Sequence, residues 1–185
     1  MKELAVHLWP GPAPALRDGL FAILIRTAPA AQRDVARRQI RLAAREALAA
    51  VLWVAPGDIE IASMPGTQPR IVLAGRETHI GCSFSHEVEY SLAAINLQGP
   101  IGADLMTVRD IPDWPTVARD YLGPAAASLR DPRDYTQMWT QREAALKCHA
   151  QQISEWRADL PGQSIALALP VANLLGHLHI GDRSA

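Results

Sequence analysis

The chain has 185 residues, of which 49% are hydrophobic, and its 18 basic and 19 acidic side chains leave a net charge of −1. That length and apolar content can bury the core of one ordinary domain or of two small halves packed together. The longest apolar runs, Leu20 to Ile25 and the stretch from Ile165 to Leu175 broken by Pro170 and Asn173, fall short of a bilayer span. No secretory leader is visible at the front, so a cytoplasmic protein that does not cross a membrane is expected. Cys82 and Cys148 stand far apart with no second cysteine near either, which argues against a disulfide framework and against a cysteine zinc site. Sixteen of the basic residues are Arg and only two are Lys, beside 31 Ala, so Lys147 stands out against a compositional bias. Six of the Arg lie between Arg26 and Arg45 with Asp34 as the one acid, a local excess of +5.

Leu4, Val6 and Leu8 alternate with polar or small residues and predict a strand closed by Trp9-Pro10-Gly11-Pro12. A helix is expected over Ala15 to Arg26. From Ala30 to Trp53 there is no Pro or Gly, and Ile40, Ala44, Ala47, Leu48 and Val51 recur at helical spacing, which predicts a long amphipathic helix. Arg33, Arg37, Arg41 and Arg45 stack along one edge of it. Strands are expected over Asp58 to Met64, Arg70 to Leu73, Gly81 to Ser85 and Glu89 to Leu97, with turns at Pro65-Gly66 and Ala74-Gly75. Gln98-Gly99-Pro100 reads as a hairpin turn joining Tyr90-to-Leu97 with Ile101-to-Met106. Asp113-Trp114-Pro115 opens a short helix that Gly123-Pro124 interrupts. Asp131-Pro132-Arg133-Asp134 then combines an N-cap, Pro at the first position and an acid in the first turn, which predicts a helix from Pro132 to about Trp156. Two strands follow, Ser164 to Leu169 and Leu174 to Ile180. The order suggests two αβ halves meeting between Leu97 and Ile101.

Trp139, Glu143 and Lys147 are spaced i, i+4 and i+8 and project from one face of the second long helix. On spacing alone a Glu and a Lys one turn apart are an ordinary solvated pair. Their company changes that reading, because Phe84-Ser85-His86 and Ile101-Gly102-Ala103-Asp104 lie upstream. This pattern resembles the 4′-phosphopantetheinyl transferases, which carry a Gly-x-Asp strand and, some 40 residues later, a helix with Trp, a basic residue, Glu and a Lys four residues after the Glu. Here Asp104 and Glu143 are 39 residues apart. The surfactin-type members, single chains that form a pseudo-dimer, add a Ser-His strand end, an Arg in the first long helix and a Gly-Lys-Pro turn. Those positions correspond to Ser85-His86, Arg45 and Thr67-Gln68-Pro69, so the resemblance spans Arg45 to Lys147.

The resemblance implies an α+β fold of two similar αβ halves, residues 1–99 and 100–185, each a long helix packed on a small antiparallel sheet, with the active site in the cleft between them. It implies Mg²⁺-dependent transfer of phosphopantetheine from coenzyme A to a serine of an apo acyl or peptidyl carrier protein, as in fatty acid, polyketide or nonribosomal peptide biosynthesis, releasing adenosine 3′,5′-bisphosphate. Asp104 and Glu143 would hold the metal. Glu143, or a water it orients, would take the serine proton, and Lys147 would neutralise a phosphate. Arg45, Ser85, His86, Arg142, Gln68 and Pro69 would contact coenzyme A. The sequence departs from the family at Met106, where a second acid is common, at Gln68 in place of the turn lysine, at Arg142 in place of Lys, and after Lys147, where a Gly-rich stretch is replaced by Cys148-His149-Ala150. A monomer is expected. The alternative is a non-catalytic relative that binds coenzyme A or a carrier protein. Nucleic-acid binding by the Arg stripe is disfavoured by the net charge. His177 and His179 alternate on the last strand without a third ligand for a metal.

Overall fold

The run Leu20-Phe-Ala-Ile-Leu-Ile25 is continuously apolar because both of its faces are buried, a pattern that periodicity alone cannot separate from a helix. In the computed structural model, which describes residues 3–27, 33–63 and 67–181, this segment is a strand rather than the helix expected over Ala15 to Arg26. Leu20, Ala22 and Leu24 enter one core and Phe21, Ile23 and Ile25 the other. A tight turn launches it, with Asp18 and Gly19 in the left-handed region at φ 54° and 80°.

Among the described residues nine strands form one sheet, with three α-helices. The elements in chain order are β1 (Glu3–Leu8), β2 (Leu20–Arg26), α1 (Arg33–Leu52), β3 (Ile59–Ala62), β4 (Arg70–Leu73), β5 (Arg76–Glu87), β6 (Tyr90–Asn96), β7 (Ile101–Thr107), α2 (Trp114–Val117), α3 (Pro132–Cys148), β8 (Gln163–Ala168) and β9 (Leu174–Ile180). The sheet order is β3-β4-β5-β6-β2-β1-β8-β9-β7. β1 is the bridge: it runs parallel to β2 through Val6 to Leu8 and parallel to β8 through Glu3 to Ala5. The remaining pairs are antiparallel. The sheet folds back on itself, so that β7, last in the order, packs on β5 and β6. Leu4, Val6, Leu92, Ala94, Ala103, Leu105, Ile165 and Leu178 fill the space inside the fold.

α1 covers the outer face of β2, β6 and β3 with Ile40, Ala43, Ala44, Ala47 and Leu48, close to the stripe read from periodicity. The expected start at Ala30 and the Pro65-Gly66 turn lie outside the described residues. α3 packs on β7, β8 and β9. Its N-cap is as expected, with the Arg133 N–H donating to Asp131 Oδ1 at 2.8 Å. It stops at Cys148, eight residues short of Trp156. Ala150 takes a left-handed φ of 53°, the Gln151 N–H donates to the Leu146 carbonyl and the Ala150 N–H to that of Lys147, a six-to-one and five-to-two closure that ends the helix without glycine.

The expected β6–β7 hairpin does not form. β6 already has β5 on one edge and β2 on the other, and β7 pairs with β9 instead. Gln98-Gly99-Pro100 is a crossover between layers. It passes so near β5 that a Cβ on Gly81 would lie 2.1 Å from the Gly99 carbonyl oxygen. No described helix is long and apolar enough to cross a membrane.

Candidate active site

Gly102 brings α3 down onto β7. A Cβ at that position would lie 1.9 Å from the Ala144 carbonyl oxygen and 2.4 Å from the Cys148 nitrogen, so only glycine permits the helix backbone to sit there. The close approach lets Lys147, in the last turn of α3, reach across to the strand. Its Nζ donates to Asp104 Oδ1 at 2.6 Å and to the Ala103 carbonyl at 3.2 Å. The Asp104 side chain is 11% exposed, so this pair is far less screened than a surface ion pair.

β5 approaches the same strand from the other side. The outward N–H groups of β7 are met by side chains: Ala103 N–H donates to Ser83 Oγ at 2.9 Å, Leu105 N–H to Ser85 Oγ at 3.3 Å and Thr107 N–H to Glu87 Oε1 at 3.2 Å. Three residues alternating on β5 thus satisfy a strand edge that has no neighbouring strand there. Ser85 Oγ also donates to Asp104 Oδ1 at 2.8 Å.

Glu143 lies one turn before Lys147 and lines the same cleft, of about 520 Å³, together with Asp104, Ser85 and His86. Its carboxylate makes no hydrogen bond or ion pair among the described residues. Burial, and then repulsion from Asp104, raise its pKa above the ordinary glutamate range, against the opposing pull of Lys147 and Arg142. A half-buried carboxylate, without a hydrogen bond among the described residues and repelled by a second one, is an arrangement that a hard cation relieves. The described residues include no group of three or more His, Cys, Asp or Glu able to hold a metal. Asp104 and Glu143 offer carboxylate oxygens, the donor type that magnesium takes, and Glu87 is a third carboxylate on the cleft wall. Met106 lines the cleft and offers no hard ligand.

Arg33 and Arg109 bring further positive charge to the cleft wall, and Ile111, Trp114, Val117 and Trp139 bring apolar surface. Trp114 stacks on Tyr135 with ring centroids 5.5 Å apart and touches Trp139 at 6.0 Å, which fixes the apolar wall. The expected single face of Trp139, Glu143 and Lys147 is what the helix presents. His86 shares a hydrogen, Nδ1 to Ser91 Oγ, at 2.8 Å. Burial, then Arg37, Lys147, Arg33 and Arg41, push its pKa down to about 4. The Arg row of α1 thus bears on His86, although on base rate Arg37 and Arg41 read as a solvated helix face. Their regular spacing was the one usable signal. Arg109 and Trp114 had none, since they come from the segment after β7.

Other expected site residues lie elsewhere. Arg45 lines a separate groove between α1 and β3 with Arg38, Arg41, Leu42, Gly57 and Glu60, and the Nε atoms of Arg41 and Arg45 are buried with no hydrogen-bond partner among the described residues. Gln68 Nε2 donates to the Lys147 and Cys148 carbonyls at 2.6 and 2.7 Å, so it caps the C-terminus of α3. Gln68 and Pro69 line a second cleft beside Gly81 and Pro100. Arg142 turns to the opposite side of α3, where Nη1 donates to the Ala158 carbonyl at 3.1 Å beside a cavity of about 730 Å³. His177 bonds Thr140 Oγ1 at 2.8 Å, while His179 bonds Ser164 Oγ at 2.8 Å and the Pro161 carbonyl at 2.9 Å, so both are part of the packing under α3. The chain matches no protein-family model, and no curated protein is significantly similar to it.

Proposed function

We propose that this chain transfers the 4′-phosphopantetheine group of coenzyme A to a serine of an apo acyl or peptidyl carrier protein. The observation that carries this reading is the convergence of Asp104, Glu143 and Lys147, from one strand and one helix, in a cleft under the positive charge of the α1 Arg row. The reaction forms a bond from the serine oxygen to the β-phosphorus and breaks the bond from that phosphorus to the bridging oxygen. Adenosine 3′,5′-bisphosphate departs. Negative charge is present or growing on phosphate oxygens throughout, so positioning and fixed positive charge do most of the catalysis.

Glu143, directly or through a water it orients, accepts the serine proton. Burial and Asp104 raise its affinity for a proton, and its carboxylate makes no hydrogen bond among the described residues. Lys147 offers its ammonium to a pyrophosphate oxygen from a position held by Asp104. Magnesium, when held by Asp104 and Glu143, supplies further charge neutralisation to the pyrophosphate. Arg33, with Arg37 one turn on, and the outer side of the His86 ring receive the remaining phosphates. We assign the 3′-phosphate to this end of α1 rather than to Arg45, because Arg33 lines the cleft and Arg45 lines a separate groove. The apolar wall of Trp114, Val117 and Trp139 suits the pantetheine arm or an apolar anchor of the carrier.

In this reading residues 1–99 and 100–185 are two αβ halves of a monomeric pseudo-dimer, supported by one long helix packed across strands in each. It sets the protein in the cytoplasm, where coenzyme A meets apo carriers. The test is mass spectrometry of a panel of apo carrier proteins incubated with coenzyme A, with and without Mg²⁺. A Mg²⁺-dependent phosphopantetheine adduct on the carrier serine supports the reading. Tight coenzyme A binding without any adduct would instead identify a non-catalytic binding module.

A further inference from the structure

Resting on that reading, we infer that Ser85 is a positioning residue that selects which oxygen of Asp104 faces the cleft, and that it does not bind coenzyme A. A serine hydroxyl has one hydrogen to donate and two lone pairs to accept with. The Leu105 N–H occupies a lone pair at 3.3 Å, and the hydrogen goes to Asp104 Oδ1 at 2.8 Å. Lys147 Nζ donates to the same Oδ1 at 2.6 Å. Two donors fill the two lone pairs of Oδ1, so the open acceptor of the carboxylate is Oδ2, which has no hydrogen bond among the described residues. Phosphate oxygens are themselves acceptors. Ser85 cannot donate to one without releasing Asp104, and the residue is only 5% exposed.

The same hydroxyl is the middle rung of the ladder from Ser83, Ser85 and Glu87 to the outer edge of β7. The outer rungs meet backbone alone. At the middle one, the contact that holds β7 against β5 also orients a carboxylate of the site. Ser83 therefore provides an internal control, because Ser83→Ala frees the Ala103 N–H without touching Asp104.

The experiment compares Ser85→Ala with Ser83→Ala by backbone hydrogen exchange, coenzyme A affinity measured by calorimetry, and steady-state transfer. In Ser85→Ala the Leu105 amide exchanges faster and coenzyme A affinity stays at the wild-type value, while kcat falls on the order of 10- to 100-fold and KM for coenzyme A stays within about twofold. In Ser83→Ala the Ala103 amide exchanges faster and kcat changes by less than about threefold. A raised KM or weakened coenzyme A affinity with kcat spared in Ser85→Ala would return the residue to cofactor binding and overturn the inference. Equal losses of kcat in the two variants would also overturn it, by reducing Ser85 to one more structural rung. If the wild-type protein transfers nothing, the functional reading fails, and exchange and affinity still decide Ser85: a protected Leu105 amide or lost coenzyme A affinity in Ser85→Ala overturns its role.

Discussion

The two long helices rest on their strands in opposite ways. α1 lies on an apolar cushion of Ile40, Ala43, Ala44, Ala47 and Leu48, and carries its charge on the far edge as a row of arginines. α3 buries Thr136 and Thr140 among its contacts, hydrogen-bonds His177, and is seated on β7 where Gly102 removes the side chain between the two backbones. A cushion of Ala and Leu sets a distance but tolerates small slides. Glycine contact with directional hydrogen bonds fixes an orientation. Under the proposed function the difference would sort the work of the site: α1 would contribute electrostatic potential, for which an error of an ångström matters little, and α3 the groups whose placement decides the chemistry.

The largest expected effect follows from breaking the fixed side. Asp104→Asn and Glu143→Gln each lower transfer by roughly 100-fold or more while the protein stays folded, measured as holo-carrier formed per minute beside a circular dichroism spectrum. Near wild-type turnover in both would detach α3 from the chemistry. Gly102→Ala forces α3 off β7 and costs about 1 to 3 kcal/mol or more in urea unfolding, a penalty that a compliant interface would not show. On the other helix, Arg33→Ala, at the cleft wall, weakens coenzyme A binding by roughly tenfold in low salt and less in high salt, whereas Arg45→Ala, in the separate groove, has the smaller effect. Equal losses would mean that α1 binds phosphate more broadly than its position on His86 indicates.

Acid sharpens the same contrast. His177, on β9 beneath α3, is pushed down to about 4 by burial, the nearby Asp104 opposing. A histidine with a folded-state pKa below its unfolded value of about 6.5 favours the native state fully above that value, and the contribution is lost as pH falls toward 4. Thermal stability therefore drops between pH 6.5 and 4. His177→Gln flattens that part of the profile without removing what His86 contributes. The smallest effect belongs to Gln68→Ala, which removes the side-chain cap from the Lys147 and Cys148 carbonyls and costs about 1 kcal/mol.

The second half of the chain was the more legible. The Asp131-Pro132 start of α3, its Trp139, Glu143 and Lys147 face, and the strand ending at Ile180 follow from capping, helical spacing and apolar length, all local rules. β2 was not legible, because burial on both faces erases the alternation that marks a strand. The β6–β7 turn misled for a related reason. Gly99 and Pro100 specify a change of direction, while the partner of each strand depends on which edges are already filled.

The sequence by itself determined which residue types are present to do chemistry and which of them share a helix face: a lone internal lysine, a glutamate one turn before it, an aspartate after Gly102, and a row of arginines. Tertiary structure decided who meets whom. It put Lys147 and Ser85 on one oxygen of Asp104, turned Arg142 away to the far side of α3, gave Gln68 to a helix end, and brought the α1 edge to bear on His86. The reason is that spacing fixes angles around a single helix or strand, whereas hydrogen-bond partners across the molecule depend on how closely two backbones approach, and here that distance is set where glycine lets α3 rest on β7.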